Sequence, residues 1–443
     1  MFIKDLLRPF FSPTNPLLLF YHKMMAVVAA VWYGFPAKKL KVIGVTGTNG
    51  KTTVVNLIAK ILMENGSKVG MASTVNFQLG GTSWMNTTKM STQSAFFIQR
   101  FLRDMVRAGC DYAVLEVTSH ALTQSRVWGI DFDVAVLTNV TGDHIEYHGG
   151  FENYLHAKGL LFQNLISSGR KVHVSKVTVL NRDDANFDFF DQFLADTKLT
   201  YGLSQGTCTA RQIQMSPEGT KFFLQIPNDQ IEVSIRLPGL ANVYNVLAAA
   251  CVALNERVPM KVLQRVLGKI DPVPGRYELV NEGQPFHVVV DYAHNIDAIQ
   301  NILKMYRDIL VTDGKGKLIV VFGATGGGRD QAKRPVMGRL LDEYADTVIL
   351  TDDDPYEEDE WRILSMVSEG VKRHEGDAVK KFWKIPQRRE AMRLAFSLAR
   401  DHDIVLIAGK GAEPIQMVYG ERRAWDDRAV ARELLTAPTE VAL

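Results

Sequence analysis

The chain has 443 residues, of which 46% are hydrophobic and 23% are charged. This balance is typical of globular proteins, and the length exceeds what one hydrophobic core usually supports, so we expect two or three domains. The 51 basic and 49 acidic residues leave a net charge of only +2, which argues against nucleic acid as a partner. The three cysteines, Cys110, Cys208 and Cys251, are too scattered for a CxxC metal site and indicate buried free thiols in a reducing compartment.

Residues 1–38 form an apolar N-terminal segment, in which residues 17–35 are apolar apart from His22 and Lys23. A membrane-spanning helix needs about 20 predominantly apolar residues, and this stretch approaches that length only by including the two polar side chains. We therefore favour a helix packed on the rest of the protein, rank contact with a membrane surface second, and rank a membrane span third.

From Lys41 onward, short runs rich in Val and Ile alternate with amphipathic segments of helical length, which predicts an α/β fold built from parallel βα units. Strands are predicted at residues 41–46, 112–116, 134–138, 172–180, 287–290, 317–322, 347–350 and 404–408, and helices at 51–63, 94–108, 153–162 and 242–254. Residues 204–236 lack a long helical period and are interpreted as antiparallel hairpins added to the first sheet. Two prolines and a glycine in residues 271–275 discourage helix and strand alike, so the domains are predicted to be 39–272 and 273–443.

Residues 44–53, GVTGTNGKTT, lie between a predicted strand and a predicted helix and have the form of a phosphate loop. In such a loop, glycines let backbone amides face phosphate oxygens, Lys51 supplies a positive charge, and Thr52 offers a hydroxyl to magnesium. A glycine-rich turn that merely joined strand to helix would not need the Lys-Thr pair. The predicted ATP-binding residues are therefore Gly47, Thr48, Asn49, Gly50, Lys51, Thr52 and Thr53.

Two polar clusters follow later strands: Glu116 to His120 after one, and Asn139 to His144 after another. Ligands gather where parallel strands end, so Glu116 and His144 are predicted to hold a second magnesium ion, which bridges ATP and the carboxylate of the substrate. Taken alone, His144 would more often be a hydrogen-bonded histidine of the surface or the core.

The phosphate loop and residues 138–162, TNVTGDHIEYHGGFENYLHAKGLLF, resemble the MurE-type Mur ligases, and ordered matches extend from Lys41 to Leu435. The resemblance implies a central P-loop ATPase-like doubly wound sheet and a Rossmann-like C-terminal α/β domain. It also implies an ATP- and Mg²⁺-dependent ligase of peptidoglycan precursor synthesis, which forms an amide bond through an acyl phosphate.

The same resemblance assigns roles to individual residues. It implies Lys51, Glu116, His144 and Lys158 as catalytic, with Thr52, Glu116, His144 and a Lys158 carbamylated by carbon dioxide as magnesium ligands. It adds Asn139, Arg276, Asp291 and His294 to the ATP site. The implied contacts of the muramyl-peptide acceptor are Asn86, Thr87, Thr88, Thr118, Gln124 and Arg126, and those of the incoming amino acid are Arg329, Asp354, Tyr356, Gly409 and Glu413.

The sequence departs from the family in the motif that reads diaminopimelate, which is DNPR and uses its arginine to pair with the distal carboxylate. Residues 353–356 read DDPY here, and three further acids follow at 357–359. Lysine or ornithine is therefore predicted in preference to diaminopimelate. The alternative, that these acids are the solvated start of a helix, stays open.

A second departure is that only about forty residues precede the phosphate loop, too few for the independent domain with which the family grips a uridine nucleotide. The acceptor is therefore left open among a uridine-linked, a lipid-linked and a free muramyl peptide. A rival interpretation is a folylpolyglutamate synthase-like ligase, which shares the loop and the lysine but not the muramyl segments. Another is an inactive ATP-binding scaffold, against which the intact catalytic set weighs. We expect a cytoplasmic protein, because the loop needs cytosolic ATP, and we also expect a monomer.

Overall fold

The computed structural model describes residues 15–88, 90–142, 145–270, 273–327, 331–373 and 381–436, without the side chains of Ile145 and Glu146. The chain forms two compact units. The first contains the chain up to Ile270 except residues 215–220 and 236–240, and the second contains those two short segments and the chain after Ile270.

An 11-stranded sheet is the centre of the first unit. Its strands are β1 (Lys41–Thr46), β2 (Val69–Ala72), β3 (Asn76–Leu79), β4 (Thr82–Met85), β5 (Tyr112–Glu116), β6 (Val134–Leu137), β7 (Val177–Asn181), β8 (Thr197–Gly202), β9 (Cys208–Ser216), β10 (Gly219–Ile226) and β11 (Asp229–Ile235). Their order is β11-β10-β9-β8-β7-β6-β1-β5-β2-β3-β4, so residues 204–236 extend this sheet as predicted. Strand β1 runs parallel to both β5 and β6, and the carboxyl ends of these three strands therefore meet at one edge.

The first unit also contains nine described helices: α1 (Pro16–Tyr33), α2 (Lys51–Glu64), α3 (Ala95–Arg107), α4 (Ser119–Thr123), α5 (Ile145–His148), α6 (Phe151–Ser167), α7 (Phe187–Asp191), α8 (Leu240–Asn255) and α9 (Met260–Leu267). A 3₁₀ turn, Pro36–Lys39, links α1 to β1. The Ser94 hydroxyl accepts a hydrogen bond from the Phe97 amide, which fixes where α3 begins. Helix α1 packs on α3 through Ala26 and Ala29, against Ala95 and Phe96.

The predicted strand at residues 172–180 is wrong over its first half, because β7 begins only at Val177. Lys171 and Lys176 both point back at the buried carboxylate of Asp133. The chain between them must therefore turn, and His173 takes a φ of +60° to do so. A turn with Val172 82% exposed replaces the expected extension of the strand.

The second unit is built on a six-stranded sheet of order β12-β13-β17-β14-β15-β16, parallel except for the pair of β12 with β13. Its strands are β12 (Glu278–Val280), β13 (His287–Asp291), β14 (Leu318–Ala324), β15 (Thr347–Asp352), β16 (Lys381–Lys384) and β17 (Ile404–Ala408), beside the small pair β18 (Ile415–Val418) and β19 (Glu421–Ala424). The described helices are α10 (Ile296–Asp313), α11 (Lys333–Tyr344), α12 (Glu360–Ser368), α13 (Arg388–Leu398) and α14 (Asp427–Thr436).

Both faces of this second sheet are buried. Along β14, Val320 and Phe322 join the core on one face, and Ile319 and Val321 join the core on the other. Continuous apolar runs are the sequence signature of such doubly covered parallel strands, which is why the sequence locates them well.

The second unit contains a fully buried ion pair between Arg388 of α13 and Asp427 of α14. Two guanidinium nitrogens of Arg388 donate to the two Asp427 oxygens at 2.7 and 2.6 Å, and both side chains have no solvent exposure. Arg388 also donates to the carbonyls of Asp352 and Ala408, which are the last residues of β15 and β17. The pair thus ties α13 and α14 to the carboxyl edge of the sheet.

Replacing Arg388 by methionine should destabilise the second unit by about 3–5 kcal/mol, because the Asp427 carboxylate would be left buried without its cation. Hydrogen exchange of peptides from β13 and β17 measures this loss of stability in the second unit. The double variant Arg388→Met/Asp427→Leu should recover most of it. The neighbouring Arg389, whose pair with Glu433 is solvent-exposed, provides the control Arg389→Met, for which we expect little change. Equal losses in the two single variants would show that burial of the pair is not the cause.

Candidate active site

The predicted phosphate loop joins β1 to α2 at the centre of the first sheet. Gly47 and Gly50 have φ angles of +147° and +86°, which disfavour other residues. A Cβ atom at Gly47 would lie 1.8 Å from the Thr138 hydroxyl oxygen, and one at Gly50 would lie 2.3 Å from the Asn245 side-chain oxygen. The loop is therefore wedged between the end of β6 and helix α8, with no room for side chains at these two positions.

Asn139 holds the loop in shape. Its carbonyl oxygen accepts from the Thr48 amide at 2.8 Å, and its side-chain oxygen accepts from the Asn49 amide at 2.9 Å. The neighbouring Thr138 hydroxyl donates to the Asn49 carbonyl at 2.6 Å. These bonds fix the loop so that the N-terminus of α2, where phosphate oxygens are best bound, follows it directly.

The two predicted catalytic lysines meet at this loop. Lys51 Nζ donates to the carbonyls of Gly47 and Thr48 at 3.1 and 2.7 Å, and Lys158 Nζ donates to the same Gly47 carbonyl at 2.7 Å. Lys158, on α6, is 1% exposed, and its ammonium lies 4.3 Å from the ring centre of Tyr154, one helical turn earlier. The structure thus places Lys158 beside the phosphate loop. The local sequence around Lys158 does not by itself predict this position.

Two of the predicted magnesium ligands also touch. Glu116 ends β5 beside Val45 of β1, is 3% exposed, and accepts a hydrogen bond from the Thr52 hydroxyl at 2.9 Å. The amide and the hydroxyl of Thr74, just beyond β2, both donate to Glu116 at 2.8 Å. A carboxylate and a hydroxyl next to a phosphate loop are the oxygen ligands that Mg²⁺ prefers, so this donor set fits the ion. His144, another of the four predicted magnesium ligands, lies outside the described residues.

The first predicted acceptor segment, Asn86 to Thr88, is joined to this centre through Asn86. The side-chain nitrogen of Asn86 donates to the Ser73 carbonyl at 2.9 Å, and its side-chain oxygen accepts from the backbone amide and the hydroxyl of Thr88 at 3.0 and 2.7 Å. Ser73 directly precedes Thr74, which holds Glu116. Thr87, which lies between Asn86 and Thr88 in the chain, is exposed at the surface.

The second predicted acceptor segment meets the same region through Thr92. The Thr92 hydroxyl donates to the Glu116 carbonyl and accepts from the Thr118 amide, both at 2.9 Å. The Thr92 carbonyl accepts from Arg126 at 2.8 Å, and Arg126 also donates twice to the Gln124 side-chain oxygen. Burial lowers the pKa of Arg126 below its usual range. The structure therefore brings Thr118, Gln124 and Arg126 together around a threonine that the sequence did not single out.

A group of rings lies beside this segment. His120, Tyr147 and His148 pack with ring centres 4.0–5.5 Å apart, and the Tyr147 hydroxyl accepts from the Gln124 amide at 2.7 Å. The His148 ring contacts the Ser119 hydroxyl at 3.1 Å. These rings connect the acceptor segment to α6, which carries Lys158.

In the second unit, the predicted residues gather at the carboxyl ends of β13 and β17. Asp291 is 4% exposed and accepts from the amides of Tyr277 and Ala293, and burial raises its pKa despite the nearby charge of Arg276. The Arg276 guanidinium lies 4.6 Å from the ring centre of Tyr292. The Gly409 amide donates to the Asp291 carbonyl at 3.1 Å.

Two of the residues predicted to bind the incoming amino acid, Asp354 and Glu413, contact a buried lysine together with Asp353. Lys410 Nζ lies 3.3 Å from Asp353, 2.9 Å from Asp354 and 3.1 Å from Glu413, and has no solvent exposure. Burial alone would lower the pKa of Lys410, but the three carboxylates outweigh it and raise the pKa above its usual range. Glu413 is the most exposed of the three carboxylates, at 21%, and also accepts from the Tyr292 hydroxyl at 3.2 Å.

The acidic run at 353–359 is therefore not one free pocket. Asp354 is engaged by Lys410, Glu358 forms a two-bond pair with the buried Arg334, and Asp359 caps the N-terminus of α12. The helix-start alternative is right for Asp359 alone. Tyr356 pairs through its backbone with Met417 and Tyr419, and its ring lies close to Gly327. Arg329, predicted to contact the amino acid, lies outside the described residues. His294 follows Tyr292 and contacts its carbonyl through Nδ1 at 2.8 Å.

Sequence reasoning missed Thr74, Thr92, Tyr154 and Asn245. Tyr154 had a visible signal, since it lies one turn before Lys158 on the same helix. Thr74 also had one, because it follows the end of a buried strand, where functional groups collect. Thr92 and Asn245 had none, because their contacts join segments that are 24 or more residues apart in the chain.

Replacing Gly47 by alanine should weaken the binding of ATP at least about a hundredfold, because the new methyl group would collide with Thr138 and displace the loop. Isothermal titration with a non-hydrolysable ATP analogue measures the affinity. Gly66 provides the control, since it has a φ of +93° and open space around its Cβ position. Gly66→Ala should cost about 1 kcal/mol of stability and leave the affinity unchanged. Unchanged affinity in Gly47→Ala would mean that the loop does not bind the phosphates.

Comparison with protein families matches most of the chain. Residues 45–253 match the Mur ligase middle domain, and residues 275–411 match the Mur ligase, glutamate ligase domain. The UDP-N-acetylmuramoyl-L-alanyl-D-glutamate–2,6-diaminopimelate ligase of Geobacillus thermodenitrificans is 41% identical over 413 residues, which are 93% of this chain and 82% of that protein. The ligase of the same name from Halalkalibacterium halodurans is 40% identical over 415 residues, again 93% and 82% of the two chains.

Solved structures agree with these matches. One of a UDP-N-acetylmuramoyl-L-alanyl-D-glutamate–2,6-diaminopimelate ligase has a TM-score of 0.62 at 33% identity and covers 89% of this chain and 78% of its own. A folylpolyglutamate synthase from Mycobacterium tuberculosis, solved with ADP and AMPPCP, has a TM-score of 0.68 at 17% identity over 87% and 91% of the chains, which shows a shared fold alone. With both domain models matched in order and relatives about 40% identical along nearly its whole length, the chain belongs to the Mur ligase family.

Proposed function

We propose that the protein is an ATP-dependent ligase that adds an amino acid to a muramyl dipeptide-type acceptor in peptidoglycan precursor synthesis. The observation that carries the proposal is the meeting of Lys51, Thr52, Glu116 and Lys158 around one phosphate loop. Two hydrogen-bonded acceptor segments adjoin that centre through Thr74 and Thr92. Its relatives are named for the addition of 2,6-diaminopimelate to UDP-N-acetylmuramoyl-L-alanyl-D-glutamate.

The proposed reaction has two steps. An oxygen of the acceptor carboxylate attacks the γ-phosphorus of ATP, which forms an acyl phosphate and releases ADP. The amine of the incoming amino acid then attacks the acyl carbon, loses a proton and expels inorganic phosphate, which leaves the amide. Lys51 and the amides at the start of α2 stabilise the charge on the transferred phosphoryl group, and Arg126 is positioned to bind a carboxylate of the acceptor.

The donor set at the loop also supports a bound metal and a modified lysine. Thr52 and Glu116 would hold Mg²⁺, which supplies positive charge next to the phosphates when bound. Lys158 lies beside Lys51 at the Gly47 carbonyl, and two ammonium groups so placed repel each other. Attack of neutral Lys158 Nζ on carbon dioxide, with loss of one proton, would give a carbamate, which replaces the positive charge by a negative one that suits a magnesium site.

The amino acid is proposed to be lysine or ornithine in preference to diaminopimelate. Tyr356 stands where the family's diaminopimelate motif has the arginine that pairs with the distal carboxylate. Asp353, Asp354 and Glu413 outnumber the single ammonium of Lys410, so these four side chains keep a net negative charge, which favours a substrate ammonium group. Glu413, the most exposed of the three carboxylates, is proposed to contact the substrate. We place the enzyme in the cytoplasm, as a monomer that takes ATP and small-molecule substrates.

Phosphate release tests the activity. We expect turnover only when ATP, Mg²⁺, a muramyl-L-alanyl-D-glutamate acceptor and a diamino acid are all present, with lysine or ornithine preferred. Comparison of turnover with acceptors that carry or lack the uridine diphosphate group shows how much this group contributes to recognition of the acceptor. Glu116→Gln should lower turnover at least about a hundredfold because it removes a charged ligand. Glu256→Gln, which alters a buried carboxylate paired with Lys41 away from the loop, is the control. Turnover with a folate acceptor, or with none, would contradict the proposal, and strong preference for diaminopimelate would contradict the amino-acid assignment.

The carbamate on Lys158 is tested with ¹³C-labelled bicarbonate. The protein should show a carbamate carbon signal by NMR that is absent from Lys158→Arg, and turnover should fall when carbon dioxide is removed. Lys176, equally buried but paired with Asp133, serves as an internal control, since it remains in the variant and should give no signal. Lys158→Glu should retain more turnover than Lys158→Ala because it restores the negative charge. A full signal in Lys158→Arg would place the modification elsewhere.

A further inference from the structure

Helix α1 carries an apolar stripe that the rest of the described structure leaves uncovered. Seven large side chains form it and are 43–74% exposed: Leu17, Phe20, Tyr21, Met24, Val28, Val31 and Trp32. At about 100° per residue they lie within an arc of about 120°, and they extend for roughly 22 Å along the helix. A continuous stripe of this size marks a surface that contacts something apolar.

The opposite side of α1 is committed to the protein. Ala26, Ala29 and Ala30 are fully buried, and the first two pack with Ala95 at the start of α3. Beyond them, the Tyr33 ring contacts Phe96, and the Arg103 guanidinium lies 4.8 Å from the Tyr33 ring centre. The stripe therefore faces away from the sheet and cannot turn inward without breaking these contacts.

This packing argues against a membrane span, although α1 is long and apolar enough for one by length and composition. The part of α1 before Ala26 has ten residues, which reach only about 15 Å, or half of a hydrocarbon core of about 30 Å. The remainder is held along α3. A helix fixed lengthwise on a domain can lie flat in an interface but cannot cross it.

The charges around the stripe indicate the chemistry of its partner. The chain has no Asp or Glu from residue 6 to residue 63, whereas Lys23, Lys38 and Lys39 lie exposed on or just after α1. Two copies of this face would bring lysines against lysines, which opposes self-association. Phe20, Tyr21 and Trp32 are the aromatic side chains that favour the boundary between lipid tails and headgroups.

We propose that α1 docks the protein flat on the surface of an anionic lipid bilayer, with the stripe in the headgroup boundary and the three lysines near lipid phosphates. Basic residues beside an apolar helical face combine burial with attraction to anionic lipid. Because Ala95 begins the helix that follows the acceptor segment at Asn86 to Thr88, docking holds that segment near the bilayer. This surface is independent of the ligase proposal and is tested without turnover.

Co-sedimentation of the full chain with vesicles tests the docking. The protein should bind phosphatidylcholine vesicles that contain phosphatidylglycerol, bind pure phosphatidylcholine much more weakly, and be released as salt rises. Phe20→Glu/Trp32→Glu should lower the partition coefficient at least about tenfold, since it places two charges in the stripe. Lys38→Gln/Lys39→Gln should lower it by roughly fivefold per lysine, in anionic vesicles only.

The control is Val172→Glu, which changes an isolated, 82% exposed apolar side chain of the same unit and should leave binding unchanged. Circular dichroism of each variant verifies folding, which the high exposure of the changed residues should preserve. Absence of vesicle binding would overturn the proposal, and so would equal binding to neutral vesicles. A wild-type dimer that Phe20→Glu/Trp32→Glu dissociates would identify a second copy as the partner instead. Retention of the expressed protein in cell membranes after alkaline carbonate washing would show a span.

Discussion

The parallel alignment of β1 between β5 and β6 is the constraint on which the candidate active site depends. It brings Thr46, Glu116 and Leu137 to one edge, so that the residues just beyond each strand meet. The approach is so close that a single methyl group at Gly47 would overlap the Thr138 hydroxyl. Glu116 is the last residue of β5, and the loop that leads to Lys51 and Thr52 is held to the end of β6 by the hydrogen bonds of Thr138 and Asn139. Such rigidity is what electrostatic stabilisation of a phosphoryl group requires, because donors that are already in place need no reorganisation during the reaction.

The sequence could predict the parts of the fold that burial alone determines. The bounds of β1, β5 and β17 agree with the structure to the residue, since each is a short, mainly apolar run that is buried in the sheet. The prediction is wrong at residues 172–176, where apolar Val172 and Val174 suggested an extended run. There the outcome depends on Asp133, whose buried charge draws both Lys171 and Lys176 and forces a turn. No local pattern contains that information, because Asp133 lies about forty residues earlier, at the start of another strand.

The acidic run at 353–359 shows the same limit at the level of chemistry. In the sequence, neighbouring carboxylates look equivalent, and their summed charge suggested a pocket for an ammonium group. In the structure their partners differ: Asp354 pairs with the distant Lys410 and Glu358 pairs with Arg334, whereas Asp359 accepts from the nearby Arg362 amide at the start of α12. Burial of a carboxylate is tolerated only with such partners. The family resemblance implied that Glu413 contacts the incoming amino acid, and the structure adds that Glu413 pairs with Lys410.

The net charge of the chain does not show how unevenly the charges are distributed along it. A net charge of +2 over 443 residues excludes a strong overall field, yet the stretch from residue 6 to residue 63 carries seven basic residues and no acidic ones. Within it, Lys51 lies at the phosphate loop and Lys41 pairs with Glu256, whereas Lys23, Lys38 and Lys39 are exposed on or just after α1. Exposed apolar side chains and unbalanced charge each reduce the benefit of folding as a compact soluble domain. Their occurrence together on and just after one helix is explained by a surface that offers both an apolar layer and anionic groups, which a lipid bilayer does and bulk water does not.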